Sequence, residues 1–337
     1  MSKRQPKEPI STPALTTRFN TNAEVLATLS KSTRRSFAAA ALGTAAGFGF
    51  CRWVFDSPPD GMLPWPERRL FQANEKISQA IFEERALAPT YARSRVEQLR
   101  INGLIGLKYP IAPESWRLQV VGVAEPTKFP QYVPDVTAWE YAYGSNKVDE
   151  GDHFTSVPAD PIIRVSSMFR ERAGKPKRGL EEAGPSRSTL PEGTPGLLLS
   201  VTDLLKLPKQ ELITEFKCVE GWSQITQWGG VRMADFLEAY PPARKPNGSL
   251  PRYVYMETPN GDYYVGYDLT VCLHPQTLLV TEMAGRPLTQ LHGAPLRLHA
   301  PTKYGYKQIK RIGLIAYTDV KPDDYWTKLG YDWYAGL

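Results

Sequence analysis

Two short segments of this 337-residue chain hold residues whose type and spacing suit chemistry. In the first, Phe216-Lys217-Cys218-Val219-Glu220-Gly221-Trp222-Ser223, a cysteine stands at the end of an apolar stretch predicted to be a strand, where the chain turns into a loop containing Gly and Trp and running on to Trp228. A strand end is where a rigid scaffold presents a reactive group, although a lone cysteine there also serves as a small core residue. The second segment is His292-Gly293-Ala294-Pro295-Leu296-Arg297 followed by Lys303-Tyr304-Gly305-Tyr306-Lys307-Gln308-Ile309-Lys310-Arg311. It places one His and five Lys/Arg within twenty residues, interleaved with Tyr and Gly. Arg and Lys suit a phosphate group, and glycine lets backbone approach a ligand closely. A solvated basic edge strand would have the same composition.

Other chemistries lack support. There is no G-x-G-x-x-G, P-loop, H-E-x-x-H, C-x-x-C or G-x-S-x-G, so the common nucleotide, zinc and serine-hydrolase readings fall away. The spacing of Cys218, Cys272, His274, His292 and His299 matches no zinc pattern. Three cysteines make no disulfide framework. The net charge of +6 sits in the first 55 residues, where eight Lys/Arg face two acids. The other 282 residues carry 33 charges of each sign, so no polyanion-binding surface and no nucleic-acid partner is expected.

The elements that must position these segments are mostly short strands. Strands are predicted over 116–123, 197–200, 212–216, 278–283, 296–299 and 312–317, with a hairpin of 253–258 and 263–265 about Asn260-Gly261. Helices are predicted over 66–88, with Leu70, Ala73, Ile77, Ala80 and Ile81 on one face, and over 203–207 and 231–240. The Gly/Pro-rich stretch 173–196 reads as a mobile loop. The fold class is α+β with a mixed sheet, few helices and long loops. Residues 1–31 form a polar N-terminal region. Residues 32–55, Thr33-Arg34-Arg35-Ser36-Phe37 and the uncharged run after it, resemble a twin-arginine export signal or an uncleaved anchor. Either implies an extracytoplasmic protein, with membrane association through residues 36–55. A linker and helix occupy 56–94, and the domain proper 95–337.

Together the two segments resemble the molybdopterin-binding domain of the sulfite oxidase family, and within it the periplasmic methionine-sulfoxide reductase catalytic subunits. Cys218, Val219, Glu220, Trp222, Ser223 and Trp228 reproduce one block of that group. Gly293, Pro295, Arg297, Lys303, Tyr304, Gly305, Lys307 and Lys310 reproduce a later one. The resemblance implies a molybdenum-molybdopterin cofactor with Cys218 as metal ligand. It implies cofactor contacts from Asn102, Thr258, His292, Arg297, Lys307, Gln308, Ile309 and Lys310. Trp222 and Trp228 would wall the substrate side. The arginines that hold sulfite in sulfite oxidases are missing from the cysteine loop, so a small neutral S-oxide or N-oxide suits this chain better than a dianion. A membrane cytochrome b-type donor is the implied electron source. The alternatives are sulfite-type oxidation and a non-catalytic exported binding protein of the same fold.

Overall fold

In this computed structural model the described residues are 22–60, 63–83, 85–97, 99–101, 103–144 and 190–337, with the backbone alone for 22–35. The chain divides into two units, 1–58 and 59–337. The first holds one helix, α1 (Asn22–Asp56), which runs straight through the boundary expected at residue 31. None of its residues 36–56 is buried, and Ser36–Asp56 is long and apolar enough to cross a membrane, a test that a signal sequence also passes.

The second unit begins with a two-strand hairpin, β1 (Pro59–Asp60) and β2 (Leu63–Pro64), and then α2 (Trp65–Ile81). Pro66 occupies the first turn, where its missing N–H costs nothing. The helix stops seven residues short of Ala88 because Phe82 turns extended. Its apolar face is exposed, with Leu70 at 68%, Ile77 at 57% and Ile81 at 72%.

Two sheets build the rest. The strands are β3 (Leu118–Val121), β4 (Tyr132–Val133), β5 (Gly196–Leu199), β6 (Lys209–Lys217), β7 (Ser223–Arg232), β8 (Tyr253–Glu257), β9 (Tyr264–Asp268), β10 (Leu278–Met283), β11 (Arg286–Pro287), β12 (Arg297–His299) and β13 (Leu314–Thr318). One sheet runs β4-β5-β3-β13-β8-β9, and the β3–β13 pair is parallel among antiparallel neighbours, so the sheet is mixed as expected. The other runs β11-β10-β7-β6, with β12 also on β10. Short helices α3 (Val201–Leu204), α4 (Met233–Ala239) and α5 (Leu269–Cys272) fill the connections.

Side chains alternate across each strand, and the three cores follow that alternation. Ile315 and Tyr317 of β13 join Val254 and Met256 of β8 in the main core, while Leu314, Ala316 and Tyr255 face the opposite side. In the other sheet Leu279 turns to the main core, and Leu278 and Val280 join Phe216, Trp228 and Cys218.

The sequence reading had no β7. Gly229-Gly230 looks like an interruption, yet a Cβ on Gly230 would stand 2.1 Å from the Leu279 carbonyl oxygen. The glycine is there because β10 lies against it. The β8–β9 connection is also longer than a two-residue turn, spanning Thr258–Tyr263, with Glu257 opposite Tyr264. The expected loop at 173–196 lies outside the described residues as far as 189, and its last residue opens β5.

Candidate functional site

The β6–β7 hairpin is paired without a break from Lys209↔Val231 to Lys217↔Ser223, and Cys218 sits at its tip. Gly221 adopts φ +88°, a left-handed conformation that closes the turn. The Gly221 N–H donates to the Cys218 carbonyl at 3.2 Å, and the Cys218 N–H donates to the Trp222 carbonyl at 2.9 Å. Cys218 is in no disulfide and is only 5% exposed, on the wall of a cavity of about 110 Å³. Gly305, Tyr306, Gln308 and Lys310 line the same cavity from the basic segment, as do Tyr263, Trp326 and Tyr331. A Cβ on Gly305 would fall 2.4 Å from the Phe216 ring, so this glycine is what lets the basic segment close on the cysteine hairpin.

The cations of the basic segment separate into two kinds. Arg297 is fully buried, gives one hydrogen bond to the His292 carbonyl at 3.2 Å, and lies 4.8 Å over the Trp228 ring. Its Nε has no partner, and burial alone pulls the guanidinium down to about 9. Lys310 reaches the Gly103 carbonyl at 3.0 Å and the Leu291 carbonyl at 3.4 Å. Burial, and then the nearby Arg297 charge, hold its ammonium well below the usual lysine range. Lys307 differs: its ammonium lies 2.7 Å from Asp324 and 2.6 Å from the Gly266 carbonyl, with both charged partners buried. Its charge is thus already paired within the chain, at a position where the resemblance implies a cofactor contact.

Other expected contacts are also taken up within the protein. His292 is buried and its pKa is lowered, chiefly by desolvation, so the ring is neutral. Its Nε2 lies 2.9 Å from the Leu99 carbonyl and its Nδ1 2.8 Å from Thr289 Oγ1, which makes Nε2 the protonated nitrogen and Nδ1 the acceptor. Neither nitrogen is left for a ligand. Among the described residues the Gln308 side-chain amide bonds His299 and the carbonyls of Ala300 and Lys303, and so holds the loop that carries it. Ile309 is a core residue whose N–H and carbonyl are both bonded within the chain. Thr258 Oγ1 braces its own turn through Asn260 and Tyr263. Asn102 lies outside the described residues. Trp228 is wholly buried behind the cysteine, between Arg297 and a stacked His299 ring, and does not wall the cavity. Trp222 stacks on Phe216 and donates to Glu220 at 2.9 Å, again outside the cavity lining.

The walls come instead from residues that sequence reasoning passed over. Trp326 and Tyr331 pack ring on ring at 5.0 Å, and Tyr331 meets Tyr306 edge-on at 5.3 Å. Burial raises the Tyr331 phenol, and the nearby Glu220 and Cys218 add to the shift. The available signal was density: Tyr325, Trp326, Tyr331, Trp333 and Tyr334 fall within ten residues of the tail. Arg311 was counted only as basic charge. It is a buried brace, donating to the carbonyls of Ala294, Gly106 and Tyr109 and to Gln290, and it ties the 103–109 segment to the 290–294 loop.

The site thus sets a cysteine on a hairpin tip, a half-buried lysine at the same cavity and a buried arginine nearby on two sheets. Residues 193–326 match the family model of the oxidoreductase molybdopterin binding domain, and the chain carries that domain. The putative protein-methionine-sulfoxide reductase subunit YedZ1 of Azospira oryzae is 37% identical over 138 residues, 41% of this chain and 50% of that protein. The protein-methionine-sulfoxide reductase catalytic subunit MsrP of Xanthomonas axonopodis pv. citri is 37% identical over 142 residues, 39% of this chain and 44% of that protein. The chain thus spans about half the length of the curated relatives it matches. Among solved structures, the sulfane dehydrogenase SoxCD of Paracoccus pantotrophus aligns over 39% of this chain and 36% of its own at 17% identity, with a TM-score of 0.34.

Proposed function

We propose that the chain is an extracytoplasmic molybdopterin-dependent oxidoreductase that reduces a small S-oxide or N-oxide. One observation carries this reading: a buried cysteine and a half-buried lysine line one cavity, and near them lies a buried arginine with no ion pair among the described residues. Burying a cation without a counter-charge is costly. Arg297 is therefore read as holding the anionic phosphate of the pterin, with Lys310 lining the cavity beside it, and Cys218 as the thiolate that ligates the metal. When bound, the cofactor supplies two-electron oxygen-atom exchange. The overall change is R2S=O + 2e⁻ + 2H⁺ → R2S + H2O.

The chain's part is to hold, orient and exclude water. The hairpin fixes Cys218. Trp326, Tyr331 and Tyr306 give an aromatic wall that suits a thioether-like substrate body. Glu220, at the same cavity, disfavours a sulfite dianion by like-charge repulsion and so weighs against the oxidase alternative. Electrons would come from a membrane cytochrome b-type donor, with residues 32–55 serving as a twin-arginine signal or retained anchor. The methionine-sulfoxide reductases among the relatives support this direction of reaction.

The test is elemental analysis of the natively exported protein together with a reduced-dye assay. Stoichiometric molybdenum and dye oxidation driven by methionine sulfoxide or dimethyl sulfoxide are the expected results. Protein free of molybdenum from a cofactor-producing cell would favour the non-catalytic reading, and cytochrome reduction driven by sulfite would favour the oxidase. Cys218→Ala should abolish turnover while leaving the fold intact.

A further inference from the structure

α2 is amphipathic the wrong way round. At 3.6 residues per turn, Arg68, Glu75 and Ser78 fall on one side of the helix, and Leu70, Ala73, Ile77, Ala80 and Ile81 on the other. The polar side docks on the rest of its unit. Arg68 donates to the Thr327 carbonyl at 3.0 Å, and Glu75 pairs with Lys321 at 2.6 Å. The apolar side faces outward, and no residue of the helix is buried. A helix held by its charges, with its leucine and isoleucines turned to solvent, presents a surface for something else.

We propose that this face of α2 lies in the headgroup region of an anionic lipid bilayer. Three observations select lipid over a protein occupant. First, the eight residues Ser57–Pro64 that join α2 to the apolar span ending at Asp56 reach at most ~28 Å, at ~3.5 Å per residue, so a retained span keeps α2 near the membrane surface. Second, Arg69 and Lys76, two turns apart and exposed, flank one edge of the apolar stripe, while Glu75 is turned to the docked side by its pair with Lys321 and Glu67 alone stands at the other edge. An apolar face with a basic flank is the pattern of an interfacial helix on anionic headgroups. Third, three large apolar side chains present on the order of a few hundred Å², short of the ~800 Å² per partner that a stable protein interface buries. The inference rests on reading α1 as retained rather than cleaved.

The test uses the full chain in a Cys51→Ser background, reconstituted into vesicles of phosphatidylcholine with or without phosphatidylglycerol. A fluorescent label is placed at Ile77→Cys or, on the opposite side of the helix, at Gln79→Cys, and the unsubstituted background is subtracted for the buried cysteines. Quenching by brominated lipid is expected to be roughly threefold greater at 77 than at 79, and greater with phosphatidylglycerol present. Arg69→Glu with Lys76→Glu should remove the dependence on phosphatidylglycerol. Both variants alter exposed positions, so the fold is retained. Equal, water-like signals at 77 and 79 in a chain that floats with the vesicles would overturn the placement of α2 while leaving the anchor standing. A label at 77 shielded from water but untouched by brominated lipid would overturn it in favour of a protein occupant. A chain that does not float would overturn anchor and placement together.

Discussion

Lys307 and Lys310 lie three residues apart in one segment and have opposite fates. Lys307 is neutralised by Asp324 in a buried pair. Lys310 turns instead to two carbonyls and shares its surroundings with Arg297, whose charge repels it. A buried cation with its carboxylate completes a structure. A buried arginine with no ion pair among the described residues, beside a half-buried lysine at a cavity, is where an added anion would be expected to act. The distinction is one of partners, so it is settled by which strand each side chain meets rather than by residue type.

The comparison breaks most visibly if the paired side is opened. Asp324→Ala leaves the Lys307 ammonium buried and uncompensated, and removing one member of a buried pair costs ~3–5 kcal/mol. The urea midpoint should fall accordingly, and added phosphate should not restore it. A loss under ~1 kcal/mol would mean that the Lys307–Asp324 contact is not the structural pair described here.

Acid should find the other side. His299 is wholly buried, stacked on Trp228, and held down to about 3 by desolvation, with Arg297 adding to the shift. Its ordinary value is 6.5. Between these values the unfolded chain binds a proton that the folded chain refuses, so stability falls as pH drops below 6.5, by up to ~1.4 kcal/mol per pH unit. His299→Gln should flatten the fall in thermal midpoint between pH 7 and pH 5. An unchanged slope would locate the acid-sensitive group elsewhere, His292 being the next to examine because it too is buried neutral.

Much of this was legible in the chain itself, and the rest was not for identifiable reasons. β10 falls on the predicted residues 278–283, and Cys218 stands at a strand end as its flanking sequence implied. β7 was hidden because Gly229-Gly230 reads as a breaker until β10 is seen against it. The 3.6-residue period of α2 was real, but periodicity finds an apolar face without saying what covers it, and here nothing in the described unit does. His292, Gln308 and Trp228 are of the right type for a site yet spend their polar or aromatic surface inside the protein. The aromatic tail could not be ranked as a wall, since tryptophan and tyrosine in such density are as common in cores.

The smallest expected effect sharpens the comparison furthest. Arg297→Met removes a buried charge and keeps apolar contact with Trp228. The lost desolvation cost and the lost cation–π attraction oppose one another, so the cofactor-free protein should change by no more than ~1 kcal/mol. The response to anions should differ. If Arg297 and Lys310 form an anion cradle, inorganic phosphate at ten times its dissociation constant stabilises the parent by ~1.4 kcal/mol. The Met variant should lose most of that increment, whereas Lys307→Met, whatever it does to baseline stability, should keep it. Thermal midpoints of the three proteins across a phosphate series decide the matter. Equal increments in all three would show the anion bound elsewhere, and the contrast between the two kinds of cation would then have no functional meaning.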